Sequence, residues 1–298
     1  MPRRASLRPS STLIAGCGYV GTALARLLAA DGHKVYGLRR SRDVDVPGVE
    51  TVRADLGDLA SLRGLAPGIQ AVVYAASGGE RSEEAYRRAY VEGPRNLLRA
   101  LEEGGQRVER FVFVSSTGVY AQDDGEWVDE RSVTEPGGFS GRLLLEGEAV
   151  VREGPFPATV LRLAGIYGPG RTRMIEQVRR GEARCTAEPS YTNRIHRDDC
   201  ARALQHILSL EAPDDPYLGV DDDPADRSAV LRWLAVRLGR PMPEVEDSAS
   251  SGVGGTNQRA GGRNKRCSNA RLVGSGFRLR YPSFRDGYAA MLAADDAE

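Results

Sequence analysis

The chain has 298 residues, of which 41 are lysine or arginine and 41 are aspartate or glutamate, so its formal charge is zero at neutral pH. This balance lacks the basic surface that nucleic-acid or anionic-membrane binding usually needs, and no apolar run approaches the roughly 18 residues that span a bilayer. We therefore expect a soluble protein with a small-molecule partner, folded as one large α/β domain or as a domain with a smaller second lobe.

The first ten residues are basic, but no apolar signal core follows them, so we expect a frayed terminus in a cytoplasmic protein. In the first half of the chain, short apolar runs alternate with helical patterns. The strands are predicted at 12–15, 34–38, 49–53, 71–76 and 111–115, and the helices at 22–30, 59–65 and 83–103. Apolar strands separated by helices are typical of a parallel sheet covered on both faces, which predicts a Rossmann-type doubly wound α/β fold.

The second half of the chain mixes helices with fewer strands. Helices are predicted at 140–152, 172–180, 200–210, 228–238 and 283–293, strands at 159–163 and 217–220, and a turn at 167–170. The segment 247–263 is rich in serine and glycine, which predicts a mobile loop. The four cysteines are too few for a disulfide framework and too far apart for a C-x-x-C pair. Cys200 and His206, six residues apart, fall on different helix faces, so we expect no metal site.

A glycine-rich loop directly follows the first predicted strand. Its sequence, Gly16-Cys17-Gly18-Tyr19-Val20-Gly21, matches G-x-G-x-x-G at a strand-to-helix junction. Gly16 permits the tight turn, Gly18 lets the backbone approach a pyrophosphate, and Gly21 lets the helix pack closely against the sheet. The diphosphate of a dinucleotide would then lie at the helix N-terminus, where free N–H groups and the helix dipole favour an anion. The alternative is a glycine turn that holds no ligand.

The second predicted strand ends without the acid that holds the ribose hydroxyls of NAD. The sequence there is Leu38-Arg39-Arg40-Ser41. The guanidinium groups of Arg39 and Arg40 suit a 2′-phosphate, and no carboxylate is present to repel it. We therefore favour NADP(H) over NAD(H), the alternative being that these arginines are simply exposed to solvent.

Six further motifs follow the glycine loop. They are Ala54-Asp55-Leu56, Val73-Tyr74-Ala75-Ala76-Ser77, the run at 91–98, Val114-Ser115-Ser116-Thr117-Gly118-Val119-Tyr120, the run at 161–170, and Arg194-Ile195-His196-Arg197-Asp198-Asp199. Together with the glycine loop they resemble the extended short-chain dehydrogenase/reductase superfamily, in its NAD(P)-dependent epimerase/dehydratase group. The resemblance runs over nearly the whole chain, and its strength lies in the order and spacing of the motifs.

The resemblance implies roles for single residues. Asp55, with Leu56 beside it, falls at the position that contacts the adenine, and Ala75 and Ala76 fall on the nicotinamide side. After the fifth strand, Ser116 and Thr117 are the residues expected to orient the carbonyl or hydroxyl of the substrate. This agrees with the general rule that such sheets bind ligands at the carboxyl ends of their strands. The alternative for the serines and the threonine is capping of the strand end.

The family normally carries Tyr-x-x-x-Lys at the start of the next long helix. There the tyrosine is the general acid/base, and the lysine lowers the tyrosine pKa and holds the nicotinamide ribose. Aligning the helix on its glutamates places Ser140 and Leu144 at the two positions, or Phe139 and Leu143 one residue earlier. Neither register supplies the pair, a departure that resembles the atypical branch of the superfamily.

Nor can another lysine restore the pair. Lys34 and Lys265 are the only lysines, and neither is preceded four residues earlier by a tyrosine. Three possibilities remain open. Proton transfer passes to Tyr120, with Ser140 as a hydroxyl and Arg142 as the local cation; the substrate or water supplies the proton, at a cost of roughly 10²–10⁴-fold in rate; or the protein is a sensor without turnover.

His196 resembles a family position near the substrate cleft. No paired nucleophile is visible, so we do not assign it a catalytic role. Asp198 or Asp199 is expected to cap the helix that follows, because aspartate is a favoured N-cap residue.

We expect an NAD(P)(H)-dependent oxidoreductase that acts on a small carbonyl or alcohol substrate through a non-standard proton-transfer site. Residues 1–160 would form the NAD(P)-binding Rossmann domain, and 161–298 mostly a substrate-binding lobe with some elements returning to the sheet. A nucleotide-sugar epimerase or dehydratase and a non-catalytic NADP(H)-binding sensor are the alternatives. The resemblance also implies a homodimer through the helices at 83–103 and 140–152.

Overall fold

A computed structural model describes residues 11–246 and 264–295, and one parallel sheet lies at its centre. The predicted N-terminal tail and the predicted loop at 247–263 lie outside the described residues. The strands are β1 (Ser11–Ala15), β2 (Lys34–Arg39), β3 (Val49–Arg53), β4 (Ala71–Tyr74), β5 (Arg110–Ser116), β6 (Glu126–Val128), β7 (Ala158–Leu163), β8 (Gly165–Tyr167), β9 (Arg184–Thr186), β10 (Tyr191–Thr192), β11 (Arg194–His196), β12 (Tyr217–Gly219), β13 (Ala225–Asp226), β14 (Glu244–Glu246) and β15 (Lys265–Cys267). The helices are α1 (Tyr19–Ala30), α2 (Glu83–Arg87), α3 (Gly93–Glu103), α4 (Phe139–Arg152), α5 (Arg173–Arg179), α6 (Arg197–Ser209), α7 (Arg227–Arg237), α8 (Ala270–Gly274) and α9 (Phe284–Asp295), with 3₁₀ turns at Leu59–Leu62 and Thr117–Val119 and a π-helical turn at Arg88–Glu92.

Seven strands form the central sheet in the order β12-β7-β5-β4-β1-β2-β3, and every pair is parallel. The chain runs from β1 outward to β3 on one side, returns to the middle, and runs from β4 outward on the other side. The strand order therefore reverses between β1 and β4. In doubly wound sheets the crevice outside the carboxyl ends of two such strands is the place where ligands bind. The predicted Rossmann-type fold is confirmed.

The central strands β1 and β4 are buried on both faces because they present apolar side chains to both. In β1, Ile14 packs into a cluster with α1 and α6, whereas Leu13 packs into a second cluster with α3 on the opposite face. In β4, Val73 and Val72 divide between the two clusters in the same way. Burying an aliphatic side chain contributes about 1.5–3 kcal/mol, so slipping one strand by a residue would exchange its two faces at a large cost.

A π-helical turn separates α2 from α3, where the sequence predicted one continuous helix. Pro94 has no N–H to donate to the carbonyl oxygen of Tyr90, four residues earlier, so a regular α-helical hydrogen bond cannot form there. A π turn accommodates such a break, and π turns inside helices are frequent at functional sites. This one brings Tyr90 to the edge of the crevice between β1 and β4.

Beyond the central sheet the chain forms pairs of short strands, β8 with β11, β9 with β14, β10 with β13, and β6 with β15. None of these strands exceeds three residues, which is too short for a hydrophobic period to show in the sequence. Two later elements rejoin the sheet, since β12 pairs with β7 and α6 packs against α1. The division near residue 160 stays a prediction. Within the described ranges, no helix has the length and apolarity to cross a membrane.

Candidate functional site: a cleft across the carboxyl ends of the strands

A cleft of about 870 Å³ opens where the strand order reverses. Its volume lies in the range of small-molecule and cofactor sites. Gly21 lies behind the cleft, on the face of α1 that packs against β1 and the glycine loop. The walls contain ten of the eleven residues predicted to bind the cofactor, namely Gly16, Gly18, Tyr19, Val20, Arg39, Arg40, Asp55, Leu56, Ala75 and Ala76.

Three glycines shape the loop after β1. Gly16 has φ +88°, and a Cβ atom there would lie 2.4 Å from the Ala76 nitrogen, so a side chain is excluded. A Cβ atom on Gly21 would lie 2.8 Å from the Gly16 oxygen, so this glycine lets α1 approach the loop. Around Gly18, by contrast, a Cβ atom would meet no described neighbour closer than 3.9 Å. The open space at Gly18 leaves the backbone accessible to a ligand.

The N-terminus of α1 is left without a side-chain cap. Gly18 provides none, and the first turn contains no acidic residue. The helices α2, α6 and α7 are capped by the side chains of Ser82, His196 and Asp226, whereas α4 and α5, like α1, have no side-chain cap. The free first-turn N–H groups and the positive end of the helix dipole make this end of the cleft suitable for an anion.

Tyr19 holds two guanidinium groups beside this anion site. Its ring lies 4.2 Å from Arg171 and 5.4 Å from Arg197, measured from guanidinium carbon to ring centroid. The Tyr19 hydroxyl donates to the Pro169 carbonyl oxygen at 2.9 Å, and burial raises its pKa. Arg171 itself lines the cleft. Arg171 was not predicted from the sequence, although it directly follows the glycine-containing turn at 167–170.

The end of the cleft beside β2 is rich in arginine. Arg39, Arg40 and Arg42 all line it. Arg39 Nη1 donates to the carbonyl oxygen of Asp43 at 3.3 Å. The Asp43 carboxylate pairs with Arg53 at 2.9 Å, so its charge is already balanced by an arginine outside the cleft.

Asp55 lines the cleft after β3, but both of its carboxylate oxygens have partners within the protein. Oδ1 accepts a hydrogen bond from the Gly57 nitrogen at 2.9 Å, and Oδ2 lies 2.7 Å from Arg88 Nη2. The Arg88 guanidinium packs over Gly57, where a Cβ atom would lie 2.2 Å from Arg88 Nε. Arg88 therefore belongs to the wall of the cleft beside the expected adenine site. No sequence pattern pointed to Arg88, because the π turn that carries it was predicted as ordinary helix.

The other end of the cleft contains the end of β5. Ala75, Ala76, Ser115 and Ser116 line it, whereas Thr117 does not. The Ser115 hydroxyl donates to Glu148 Oε1 at 2.7 Å. Ser116 Oγ accepts a hydrogen bond from the Gly118 nitrogen at 3.1 Å, so the capping alternative describes part of what Ser116 does.

Tyr120 lies behind the cleft rather than in it. Its side chain is fully buried, and its hydroxyl accepts a hydrogen bond from Arg162 Nη1 at 2.7 Å. Burial raises the pKa of Tyr120 to about 12. Arg162 in turn donates to Glu148 at 2.9 and 2.7 Å. A buried network thus connects Ser115, Glu148, Arg162 and Tyr120.

The start of α4 has apolar side chains where the family's pair is expected. Leu144 lines the cleft, whereas Phe139, Ser140 and Leu143 do not. Phe139 instead packs edge-on against Tyr86, with ring centroids 5.6 Å apart.

Arg142, the expected stand-in for the lysine, and Lys265 both lie elsewhere. Arg142 Nη1 donates to the Gly137 carbonyl oxygen at 3.2 Å, outside the cleft. Lys265 Nζ donates to the Tyr120 carbonyl oxygen at 2.9 Å, and burial lowers its pKa. Neither cation lines the cleft.

His196, not an aspartate, caps α6. Its Nδ1 accepts a hydrogen bond from the Asp198 nitrogen at 3.2 Å, and burial lowers its pKa to about 4. The expectation that Asp198 or Asp199 is the cap was wrong, because α6 begins three residues earlier than predicted. Asp199 instead accepts hydrogen bonds from the backbone nitrogens of Arg280 and Tyr281, both at 2.8 Å.

The fold and this cleft define a dinucleotide-binding protein of the Rossmann type. The model of the NAD dependent epimerase/dehydratase family matches residues 12–217. The chain belongs to this family and is therefore an NAD(P)-binding protein.

Individual relatives support the same family. A 2-alkyl-3-oxoalkanoate reductase of Stenotrophomonas maltophilia is 28% identical over 66% of this chain, which spans 64% of the length of that reductase. Protein YeeZ of Escherichia coli (strain K12) is 30% identical over 81% of this chain and 88% of its own. A solved structure from Methylobacillus flagellatus, with the same family designation, is 41% identical, covers 97% of this chain and 99% of its own, and has a TM-score of 0.80.

Proposed function

We propose that the protein is an NADP(H)-dependent oxidoreductase that acts on a small carbonyl or alcohol substrate. The observation that carries this proposal is one continuous cleft, with an uncapped helix N-terminus at one end and the serine-bearing end of β5 at the other. When bound, the nicotinamide would donate a hydride for reduction or accept one for oxidation. The protein's own part is to hold the dinucleotide, orient the substrate oxygen and handle the proton.

The residues around α1 fit a diphosphate. Gly18 leaves the backbone open, and the first turn of α1 has no competing carboxylate. Arg171, stacked on Tyr19 at 4.2 Å, supplies a positive charge at the same place. The loop, the helix and the arginine would together bind the two phosphates through charge-assisted hydrogen bonds.

The arginines after β2 support NADP(H) rather than NAD(H). Arg39 and Arg40 line the cleft, and the nearby Asp43 carboxylate is paired with Arg53. Guanidinium groups bind a phosphate in two-pronged geometry, whereas the hydroxyl of NAD offers them no charge.

Dissociation constants for NADPH and NADH test this preference. We expect wild type to bind NADPH more tightly, and the double variant Arg39→Ala/Arg40→Ala to weaken NADPH binding by about tenfold or more, since hydrogen bonds to charged groups contribute roughly 1.5–3 kcal/mol. NADH binding should change little. Arg99→Ala, an exposed arginine on α3 paired with Glu103, is the matched control. Tighter binding of NADH by wild type would contradict the proposal.

The opposite end of the cleft suits a compact substrate with an oxygen to be oriented. Its walls include Ala76, Leu144 and Ala164, which are small or apolar. Because Ser116 Oγ accepts from the Gly118 nitrogen, its own hydrogen is free to be donated to a carbonyl oxygen. The Ser115 hydrogen is already given to Glu148. The relative named for reduction of a 3-oxoalkanoate supports a carbonyl substrate.

The lack of a tyrosine–lysine pair at the start of α4 favours a second candidate function, a non-catalytic NADP(H)-binding sensor. Phe139 and Leu143 in one register, or Ser140 and Leu144 in the other, cannot perform the proton transfer of a tyrosine and a lysine. The same residues disfavour nucleotide-sugar epimerisation, which must form and reverse a keto intermediate.

A panel of carbonyl compounds distinguishes these candidates. We expect the purified protein to oxidise NADPH with at least one simple ketone or β-keto compound, followed by the loss of nicotinamide absorbance. Tight NADPH binding without turnover across the panel would instead identify a sensor. Conversion of a nucleotide sugar without net cofactor oxidation would identify an epimerase.

A further inference from the structure

Tyr90 is a phenol in the cleft whose hydroxyl is not used by the protein. Three tyrosines line the cleft within the described ranges, namely Tyr19, Tyr74 and Tyr90. Tyr19 donates its hydroxyl to the Pro169 carbonyl oxygen at 2.9 Å. Tyr74 donates to the Ala89 carbonyl oxygen at 2.5 Å. The Tyr90 hydroxyl has no hydrogen-bond partner among the described residues.

Tyr90 also lies where α4 comes closest to the π turn. A Cβ atom on Gly147 of α4 would lie 2.1 Å from the Tyr90 carbonyl oxygen, so the two backbones touch. The Tyr90 ring lies 5.2 Å from Tyr86, whose other neighbour is Phe139 at the start of α4. The Tyr90 side chain further packs against the cluster that contains Leu144 and Ala164. Tyr90 and Leu144 therefore share one part of the cleft wall, in the same cleft that Ser116 lines.

Two other hydroxyl groups near this end, those of Tyr120 and Ser115, are committed elsewhere. Tyr120 is fully buried and bonded to Arg162, and Ser115 donates its hydrogen to Glu148. Burial raises the pKa of Tyr90 to about 12, so the phenol carries its proton at neutral pH. Tyr90 is thus a protonated hydroxyl, free of internal partners and open to the cleft.

We propose that Tyr90 donates the proton to the carbonyl oxygen of the substrate, in the role for which α4 has no tyrosine. The inference rests on the proposed oxidoreductase function. In reduction, the carbonyl carbon gains the hydride from the reduced nicotinamide while the carbonyl oxygen gains the Tyr90 proton. The products are the alcohol, the oxidised nicotinamide and a tyrosinate, and water entering the open cleft returns the proton to the tyrosinate.

The kinetic test compares Tyr90→Phe with wild type. Since general acid catalysis contributes about 10²–10⁴-fold, we expect kcat to fall by about 100-fold or more while the dissociation constant of NADPH stays the same. The thermal unfolding midpoint should also stay unchanged, because the hydroxyl makes no internal hydrogen bond. Tyr86→Phe, one turn earlier, is outside the cleft wall and is the matched control with wild-type kcat.

A second readout does not depend on turnover. Peroxynitrite nitrates accessible tyrosine rings by a radical route that does not require the ionised phenol, and mass spectrometry reports the modified positions. We expect Tyr90 to be nitrated in the cofactor-free protein and protected by saturating NADPH, whereas Tyr281, which lies outside the cleft, is nitrated equally in both states. Unchanged nitration of Tyr90 with NADPH would overturn its placement beside the nicotinamide.

The outcomes separate the two proposals. If wild type reduces a carbonyl and Tyr90→Phe does so at the same rate, the assignment of Tyr90 is overturned and the oxidoreductase function stands. If wild type binds NADPH and reduces nothing on the panel, the oxidoreductase function falls, and the role of Tyr90 falls with it.

Discussion

The two ends of the cleft are built on different principles. At the α1 end, Gly16 and Gly21 let the backbone segments pack closely, Gly18 leaves the backbone open, and the exposed arginines Arg40, Arg42 and Arg171 line the cleft. At the α4 end, the charged groups Glu148 and Arg162 are buried and turned toward each other. Under the proposed function, charge serves ligand binding at the first end, whereas at the second end it serves the internal structure. The chemistry at the second end must therefore come from hydroxyl groups that the network leaves free.

The largest expected effect concerns the buried network. Glu148→Ala would leave the Arg162 charge buried without its partner, which we expect to lower the free energy of unfolding by about 3–5 kcal/mol. Urea unfolding followed by circular dichroism measures this change. Glu146→Ala removes an exposed partner of Arg87 from the same helix and should cost less than about 1 kcal/mol. Equal free energies of unfolding for the two variants would contradict the view that the charges of Glu148 and Arg162 stabilise the structure at the α4 end of the cleft.

Acid should weaken the support of the turn that carries Arg171. A Cβ atom on Gly168 in this turn would lie 3.2 Å from His196 Nε2, so the two are in close contact. Burial lowers the pKa of His196 to about 4, whereas in the unfolded chain it is about 6.5. Between these values only the unfolded chain binds the proton, so this contribution to stability is complete well above pH 6.5 and falls by about 3 kcal/mol toward pH 4.

The difference between wild type and His196→Asn isolates this contribution from other titrating groups. Asparagine keeps a side-chain acceptor for the Asp198 nitrogen but does not titrate. We expect the stability of wild type relative to the variant to decline between about pH 7 and pH 4.5. A constant difference would show that His196 is protonated equally in both states.

A moderate effect on ligand affinity is expected from Arg171, which we propose binds the diphosphate of NADPH. Arg171→Ala should raise the dissociation constants of NADPH and ADP-ribose by about tenfold, because one charge-assisted hydrogen bond is lost. Calorimetry measures both ligands. Adenosine 2′-phosphate, which has no diphosphate, should bind unchanged, and Arg173→Ala, exposed and outside the cleft, serves as the control variant. Equal weakening of all three ligands would mean that Arg171 acts on the shape of the cleft instead.

The smallest effect is expected for Tyr120→Phe. The variant loses one hydrogen bond to Arg162, which we expect to lower the free energy of unfolding by about 1 kcal/mol. Since Tyr120 is fully buried behind the cleft, kcat should stay at the wild-type value. A fall in kcat as large as that expected for Tyr90→Phe would show that the network itself moves the proton.

Much of the cofactor end could be predicted from local sequence. The glycine loop needs glycine at defined positions because a Cβ atom at Gly16 or Gly21 collides with backbone within 3 Å. Arg39 and Arg40 follow β2 directly, so their place at the cleft follows from the fold class. Arg88 and Arg171 were not predicted, because one lies on an unforeseen π turn and the other reaches the loop through its contact with Tyr19.

The sequence by itself determined the parallel sheet, the glycine loop between β1 and α1, and the lysine shortage that leaves α4 without its expected pair. These are properties of short stretches, where hydrophobic period, glycine spacing and residue type suffice. Only the tertiary structure decided which hydroxyl groups remain available. In the sequence, Tyr120 and Ser115 could not be distinguished from other candidate hydroxyl groups. In the structure, Arg162 of β7 bonds to Tyr120, and Glu148 of α4 bonds to Ser115. Tyr90 lies on the π turn that precedes Pro94, and it lines the cleft. Such availability depends on contacts between distant segments, which no local pattern records.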